Sequence, residues 1–212
     1  MNAQAKPALT TMPCLSANDL LQQCGPDSHL LQNARLLSQL VHSQRQGKGC
    51  LPFCLGLMPL DFVWLLHQYL GESPALELLI NPHSDMNQLG VEKGSMRQEL
   101  LQMRQDEWIE IRDLLLAARA GSSTFEVPLA GILAAACLGG DHLWRDLGLK
   151  SRMELSELMA CHFPELAQRN SGDMKWKKFF YKQLCEQEGG YVCRAPSCDQ
   201  CAAYDDCFGP EE

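Results

Sequence analysis

The chain has 212 residues, of which 46% are hydrophobic and 21% charged. This ordinary globular composition excludes collagen-like and disordered classes. The formal net charge of −8 disfavours nucleic-acid partners, because phosphate backbones repel an acidic surface. The longest uncharged apolar run, 127–138, is too short to cross a bilayer, and the first residues lack the apolar core of a secretion signal. We therefore expect a cytoplasmic protein with no membrane or nucleic-acid partner.

Apolar residues recur at helical spacing through almost the whole chain, and no long alternating β-branched run indicates a strand. Ser95 and Ser151 each begin a capping box, in which a side chain three residues later reaches back to the helix start. The turn-rich stretch 81–94 predicts an internal loop, and the nearly all-apolar stretch 128–138 predicts a buried central helix. The fold class is therefore predicted to be all-α, a single helical domain. The predicted helices cover roughly 30–46, 59–71, 73–82, 95–121, 128–138, 141–147, 151–163 and 174–187.

The predicted organisation is a helical body, residues 1–188, followed by a cysteine-rich tail, residues 189–212. Residues 1–18 of the body are expected to be poorly ordered. Asp173 is placed to cap the last body helix, which has an aromatic face and carries four lysines. Cations at a helix start oppose the helix dipole, so these lysines are candidates for docking an anion or an acidic partner, although a solvated helix face is the simpler interpretation. The four are Lys175, Lys177, Lys178 and Lys182.

Four of the 11 cysteines fall in the last twenty residues. They are spaced C-x4-C-x2-C-x5-C, and a loop of this kind can wrap thiolates around a compact iron–sulfur core. Zinc is the main alternative, since structural zinc also takes four thiolates, although zinc ribbons usually have two C-x2-C pairs. A disulfide or an unliganded set is the third possibility. The four residues are Cys193, Cys198, Cys201 and Cys207.

The other cysteines and histidines give weaker signals. Cys185 precedes the four-cysteine motif by eight residues, and it and His142 are candidate auxiliary ligands. The adjacent pair at 161–162 is a similar candidate, whereas Cys137 in the apolar helix is expected to be plain core. The C-x3-C pair at positions 50 and 54 is an isolated pair and weak support for a metal site. No nucleophile–base set, P-loop, G-x-G-x-x-G or H-E-x-x-H motif occurs, so we do not expect an enzyme.

Two stretches resemble the NifQ family of nitrogen-fixation proteins. The first is MKWKKFFYKQLC, 174–185, with the four-cysteine motif and the Cys-Phe-Gly that ends at residue 209. The second is DHLWRDLG, 141–148, with SRMELSELM, 151–159. Together these stretches extend the resemblance over about 134–209.

The resemblance implies a molybdenum and iron–sulfur cluster carrier that donates molybdenum for biosynthesis of the nitrogenase iron–molybdenum cofactor. It implies that Cys193, Cys198, Cys201 and Cys207 are the cluster ligands. The implied partners are the scaffold and reductase proteins of cofactor assembly, with molybdate as an anion that the lysines could attract. A zinc-stapled interaction module and an iron–sulfur electron-transfer or redox-sensing protein remain the alternatives.

Overall fold

The computed structural model describes residues 26–71, 86, 88–187, 189 and 204–211, with the backbone alone for 26–29. These residues form helices joined by turns, and no strand occurs among them, which confirms the all-α prediction. A short 3-10 turn, Phe53–Gly56, joins the first two α-helices. The helices are α1 Pro26–Arg45, α2 Pro59–Leu70, α3 Gln88–Met103, α4 Gln105–Ala117, α5 Glu126–Cys137, α6 Leu143–Leu147, α7 Arg152–His162, α8 Pro164–Arg169, α9 Trp176–Gln187 and α10 Tyr204–Phe208.

Helix α5 is the centre of the core, as its all-apolar sequence predicts. Every residue of the helix except Val127 is buried. Its closest neighbour is α4, and the indole Nε1 of Trp108 donates to the carbonyl oxygen of Gly131 at 2.9 Å. The absence of a side chain at Gly131 lets that ring and Leu57 lie against the backbone of α5. A helix that is apolar all round is thus enclosed by its neighbours.

The predicted loop over 81–94 is wrong where the structure describes it, because α3 already begins at Gln88. Ser95 therefore lies inside a helix and begins no capping box. The misleading signal comes from two glycines in this stretch, which are buried within α3. A Cβ at Gly94 would overlap the ring of Phe53, so glycine is required here for close packing rather than for a turn. The helix predicted over 73–82 lies outside the described residues.

The long helix predicted over 95–121 is divided at Arg104. The backbone of this residue departs from helical geometry, with φ −115° and ψ 34°. Its guanidinium donates to Glu107 through Nε at 2.7 Å and to the carbonyl oxygen of Leu138 at 3.0 Å. The break therefore lies at an arginine that links the start of α4 to the end of α5.

The helix beginning after Ser151 is confirmed, since the Ser151 hydroxyl accepts a hydrogen bond from the backbone N–H of Glu154 at 3.2 Å. The carboxylate of Glu154 instead accepts from the N–H of Lys150 at 2.7 Å. Pro164 ends α7 as predicted and also starts α8, a short helix that the sequence analysis missed. Among the described helices, none combines the length and apolarity that crossing a membrane needs.

Helix α9 begins at Trp176, two residues later than predicted, and buries the expected aromatic face. Trp176, Phe179 and Phe180 are all buried, with ring centroids about 6 Å apart. Asp173 has a left-handed backbone, with φ 55°, and its carboxylate pairs with Arg152 at 2.7 Å. The aromatic face thus fixes α9 to the body, and Asp173 serves an ion pair with the start of α7.

Candidate metal centre

Of the four motif cysteines, Cys207 lies within the described residues and is half-buried on α10. Cys193, Cys198 and Cys201 lie outside the described residues. In the part of the chain that the structure describes, no three His, Cys, Asp or Glu side chains form a group that could hold a metal. The ligand assignment for the four cysteines therefore stays a prediction.

Residues 204–211, hereafter the docked segment, pack against the start of α9. The backbone N–H of Lys175 donates to the carbonyl oxygen of Cys207 at 2.7 Å. The ammonium group of the same lysine donates to the carbonyl oxygen of Asp205 at 2.8 Å. Phe208 packs against the hydrophobic core. The backbone that carries Cys207 is thus held at the N-terminal end of α9.

A second set of contacts holds the far end of the docked segment. The guanidinium of Arg152 forms an ion pair with the carboxylate of Glu211, whose side chain is only 5% exposed. Arg152 also donates to the carbonyl oxygens of Asp173 at 2.8 Å and Met174 at 3.1 Å. One arginine therefore joins the start of α7, the turn before α9 and the docked segment.

The two candidate auxiliary ligands lie at different places. The Nδ1 atom of His142 is 3.7 Å from a carboxylate oxygen of Glu211, so this histidine neighbours the docked segment. Cys185 is half-buried in the last turn of α9, at the opposite end of that helix from Cys207. His162, the other histidine considered, is buried and packs against the rings of Phe125 and Phe163.

The four lysines do not form one solvated cluster. Besides Lys175, which holds the docked segment, Lys177 points inward, where it pairs with Asp146 and donates to the carbonyl oxygen of Gly139 at 2.9 Å. Lys182 lies 3.6 Å from Glu186, and Lys178 is exposed. Structural contacts therefore account for the positions of Lys175 and Lys177. Docking of an anion or a partner by the four lysines stays a prediction.

A buried polar cluster that the sequence analysis did not anticipate lies where α5, α6 and α9 meet. Asp146 is its centre: its carboxylate binds Lys177, and its carbonyl oxygen accepts from the N–H of Cys50 at 2.6 Å. Burial and the neighbouring Asp146 raise the pKa of the Cys50 thiol, and these outweigh the opposite effect of Arg97 and Lys177. Of these residues, Asp146 lies in a stretch that resembles the family. No short-range sequence pattern indicates that it contacts residues 50 and 177.

The C-x3-C pair is held as protonated thiols at neutral pH. Burial raises the pKa of Cys54 to about 11, and the pKa of Cys50 is also raised. A metal ligand must be a thiolate, so an environment that disfavours the charged form gives no support to a metal site at this pair.

Cys54 and Leu55 adopt left-handed backbone conformations with φ of 54° and 57°.

A cavity of about 640 Å³ opens on the face formed by α2, α3, α4 and α5. Two tryptophans, Trp64 and Trp108, lie in its wall together with Leu101, Arg112 and Val127. Sequence patterns could not reveal this cavity, because its lining residues come from four helices far apart in the chain.

Comparison with known proteins gives a consistent result. The NifQ family model matches residues 36–209. The chain is 51% identical to Protein NifQ of Azotobacter vinelandii over 183 residues, which cover 86% of this chain and 91% of the relative. It is 39% identical to Protein NifQ of Klebsiella pneumoniae over 176 residues, which cover 82% of this chain and 95% of the relative. A NifQ homolog of Sinorhizobium fredii is 55% identical over 103 residues, which cover 48% of this chain and 44% of the relative. No solved structure matches the chain.

Proposed function

The chain belongs to the NifQ family, and from that premise we propose that it is a molybdenum carrier for nitrogen fixation. In this proposal the protein holds molybdenum in a molybdenum–iron–sulfur cluster and donates it for assembly of the nitrogenase iron–molybdenum cofactor. It acts in the cytoplasm as a donor and not as an enzyme. The ligands are the thiolates of Cys193, Cys198, Cys201 and Cys207.

The observation that carries the proposal is the attachment of the four-cysteine stretch at opposite ends of one helix. Helix α9 ends at Gln187, before the four-cysteine stretch, and Cys207 is held at the N-terminal end of the same helix by Lys175. A helix of 12 residues is about 18 Å long. The connecting residues 188–203 could reach on the order of 50 Å if extended. The chain is thus long enough to surround an inorganic core while both of its ends stay attached.

The chemistry of the donor set is consistent with cargo that must leave. Soft thiolates bind iron–sulfur clusters and hold their iron atoms strongly. Molybdenum in the same cluster would have a more weakly bound ligand that an acceptor could replace. Cys207 is half-buried at the edge of the core, so the body does not fully enclose this part of the motif.

The proposed partners are the scaffold and reductase proteins of cofactor assembly. The exposed Lys178 is the lysine of α9 best placed to contact an acidic partner or attract molybdate. If a Lys178→Gln variant loads molybdate and transfers molybdenum at the wild-type rate, this part of the proposal is wrong.

The decisive experiment is anaerobic purification followed by iron, sulfide, molybdenum and zinc analysis and low-temperature EPR. We expect a brown protein that contains iron, sulfide and molybdenum, and that loses molybdenum to an acceptor assembly protein. A Cys198→Ala variant should lose the cluster and keep the helical circular dichroism of the body. Cys137→Ala, which changes a buried core cysteine outside the motif, is the control and should keep the cluster.

The alternatives predict other results. Colourless protein containing zinc would favour a zinc-stapled interaction module and overturn the carrier function. Iron and sulfide without molybdenum, together with reversible electron uptake, would favour an electron-transfer or redox-sensing protein. Unfolding of the body in Cys198→Ala would indicate that the metal is structural.

A further inference from the structure

The carboxylate of Glu211 is buried although it lies at the far end of the described chain. Its side chain is 5% exposed, and the side chain of its partner Arg152 is 21% exposed. Surface ion pairs usually contribute little, since both side chains stay hydrated. The Glu211 carboxylate is removed from water, so its ion pair with Arg152 matters more for stability than a pair between two exposed side chains.

Arg152 holds more than one element at this point. Besides Glu211 it binds the carboxylate of Asp173 at 2.7 Å and two backbone carbonyl oxygens in the turn that precedes α9. The planar guanidinium has five N–H donors in a fixed arrangement, which suits it to several acceptors at once. The guanidinium of Arg152 thus binds both the turn before α9 and the docked segment.

Cys207 lies between two fixed points of this arrangement. On one side, the carbonyl oxygen of Asp205 accepts from the ammonium group of Lys175 at 2.8 Å. On the other side, Glu211 is held by Arg152. The carbonyl oxygen of Cys207 itself accepts from the N–H of Lys175 at 2.7 Å, and the N–H of Gly209 donates across Cys207 to the carbonyl oxygen of Asp205 at 2.9 Å. The backbone of Cys207 is therefore held on both sides.

We propose that Arg152 and Glu211 are positioning residues that order Cys207 as a metal ligand before any metal arrives, and so govern how firmly the cargo is kept. This inference rests on the proposed function. A ligand that is already fixed loses less conformational entropy on binding than one on an unattached chain end. Releasing the contact would convert Cys207 into a mobile ligand and favour departure of the metal.

The test uses Glu211→Gln in the full chain, which removes the charge and leaves the size of the side chain unchanged. In metal-free protein we expect faster hydrogen exchange in residues 204–211, with an unchanged midpoint of thermal unfolding of the body. In anaerobically loaded protein, removal of iron and molybdenum by a chelator should become about tenfold faster, equivalent to about 1.4 kcal/mol.

The matched control is Glu165→Gln, which disrupts an exposed ion pair with Arg169 on α8 and should leave both measurements unchanged. Arg152→Lys keeps the charge but cannot bind its acceptors simultaneously, so its effect should be intermediate. If the wild-type protein loads iron and molybdenum but Glu211→Gln and Glu165→Gln lose them at equal rates, this inference is wrong and the proposed function stands. Wild-type protein that binds no iron after reconstitution would overturn the proposed function as well.

Discussion

The ammonium group of Lys177 and the carboxylate of Asp146 form a buried ion pair that joins α9 to α6. Their side chains are 16% and 7% exposed. The lysine ammonium also donates to the carbonyl oxygen of Gly139, and Asp146 accepts from the N–H of Asp141 at 3.1 Å. Each charge thus has a partner of opposite charge and a further hydrogen bond, which is the arrangement a buried ion pair requires. The contact fixes the N-terminal turn of α9, the helix that precedes the cysteine motif.

Replacing Lys177 with methionine should lower the free energy of unfolding by about 3–5 kcal/mol, since Asp146 would remain buried and unpaired. Urea unfolding of the metal-free protein, followed by circular dichroism, measures the change. Lys178→Met is the control, because this neighbouring lysine is exposed and its loss should change stability by no more than about 0.5 kcal/mol. Equal effects of the two substitutions would contradict the inward orientation of Lys177.

Gly139 and Gly140 are adjacent and should respond very differently to alanine. A Cβ at Gly139 would lie 2.5 Å from a carboxylate oxygen of Asp146 and 2.7 Å from the sulfur of Cys50, whereas a Cβ at Gly140 would meet nothing within 4 Å. Gly139→Ala should therefore destabilise the protein by about 1–3 kcal/mol through overpacking. Gly140→Ala is the matched control and should be close to neutral. Equal denaturant midpoints for the two variants would show that Asp146 and Cys50 can move to accommodate a methyl group without loss of stability.

Glu126 is a fully buried carboxylate that organises the turn before α5. One oxygen accepts from the N–H of Gly121 at 2.7 Å, and the other accepts from the backbone N–H groups of Ser122 at 3.1 Å and Ser123 at 3.2 Å. Glu126→Gln turns an amide group toward these donors. It should lower the free energy of unfolding by about 2–3 kcal/mol. Glu110→Gln, at an exposed position of α4, should have almost no effect in the same urea titration.

The stability of the metal-free protein should fall in alkaline solution because of buried thiols. Burial raises the pKa of Cys137 from 9.0 to about 12, so the folded state keeps a proton that the unfolded state has lost. The thiol stabilises the fold fully below pH 9, and this contribution declines as the pH rises from 9 toward 12. The decline should be about 1.4 kcal/mol per pH unit.

A Cys137→Ala variant tests this effect. Its free energy of unfolding should fall less steeply between pH 9 and 11 than that of the wild type, when both are measured under reducing conditions. The alkaline decline that Cys54 contributes, with its pKa of about 11, is common to both proteins and cancels in the comparison. Identical slopes would contradict the raised pKa of Cys137.

The all-α class, the central helix and the aromatic face of α9 were predictable from the sequence, because each depends on apolar residues recurring within a few turns of one helix. The Ser151 cap was predictable for the same reason, since its partner is three residues away. The glycines at 90 and 94 give the pattern typical of a loop but lie buried within a helix, which at Gly94 packs closely against Phe53. Local sequence cannot distinguish a glycine that makes a turn from one that admits a neighbour.

By itself the sequence determined the all-α class, most of the helices and which cysteines share metal-ligand spacing, because helix periodicity and motif spacing are both read along the chain. Only the tertiary structure decided that Lys177 faces Asp146, that Cys50 lies beside them, and that Arg152 holds Glu211. Cys50 is 96 positions from Asp146 and 127 positions from Lys177, and the Arg152–Glu211 contact joins residues 59 apart. Such contacts depend on how the helices pack. Burial removes water as an alternative partner, so the loss of a contact with a buried charged group lowers the stability of the fold.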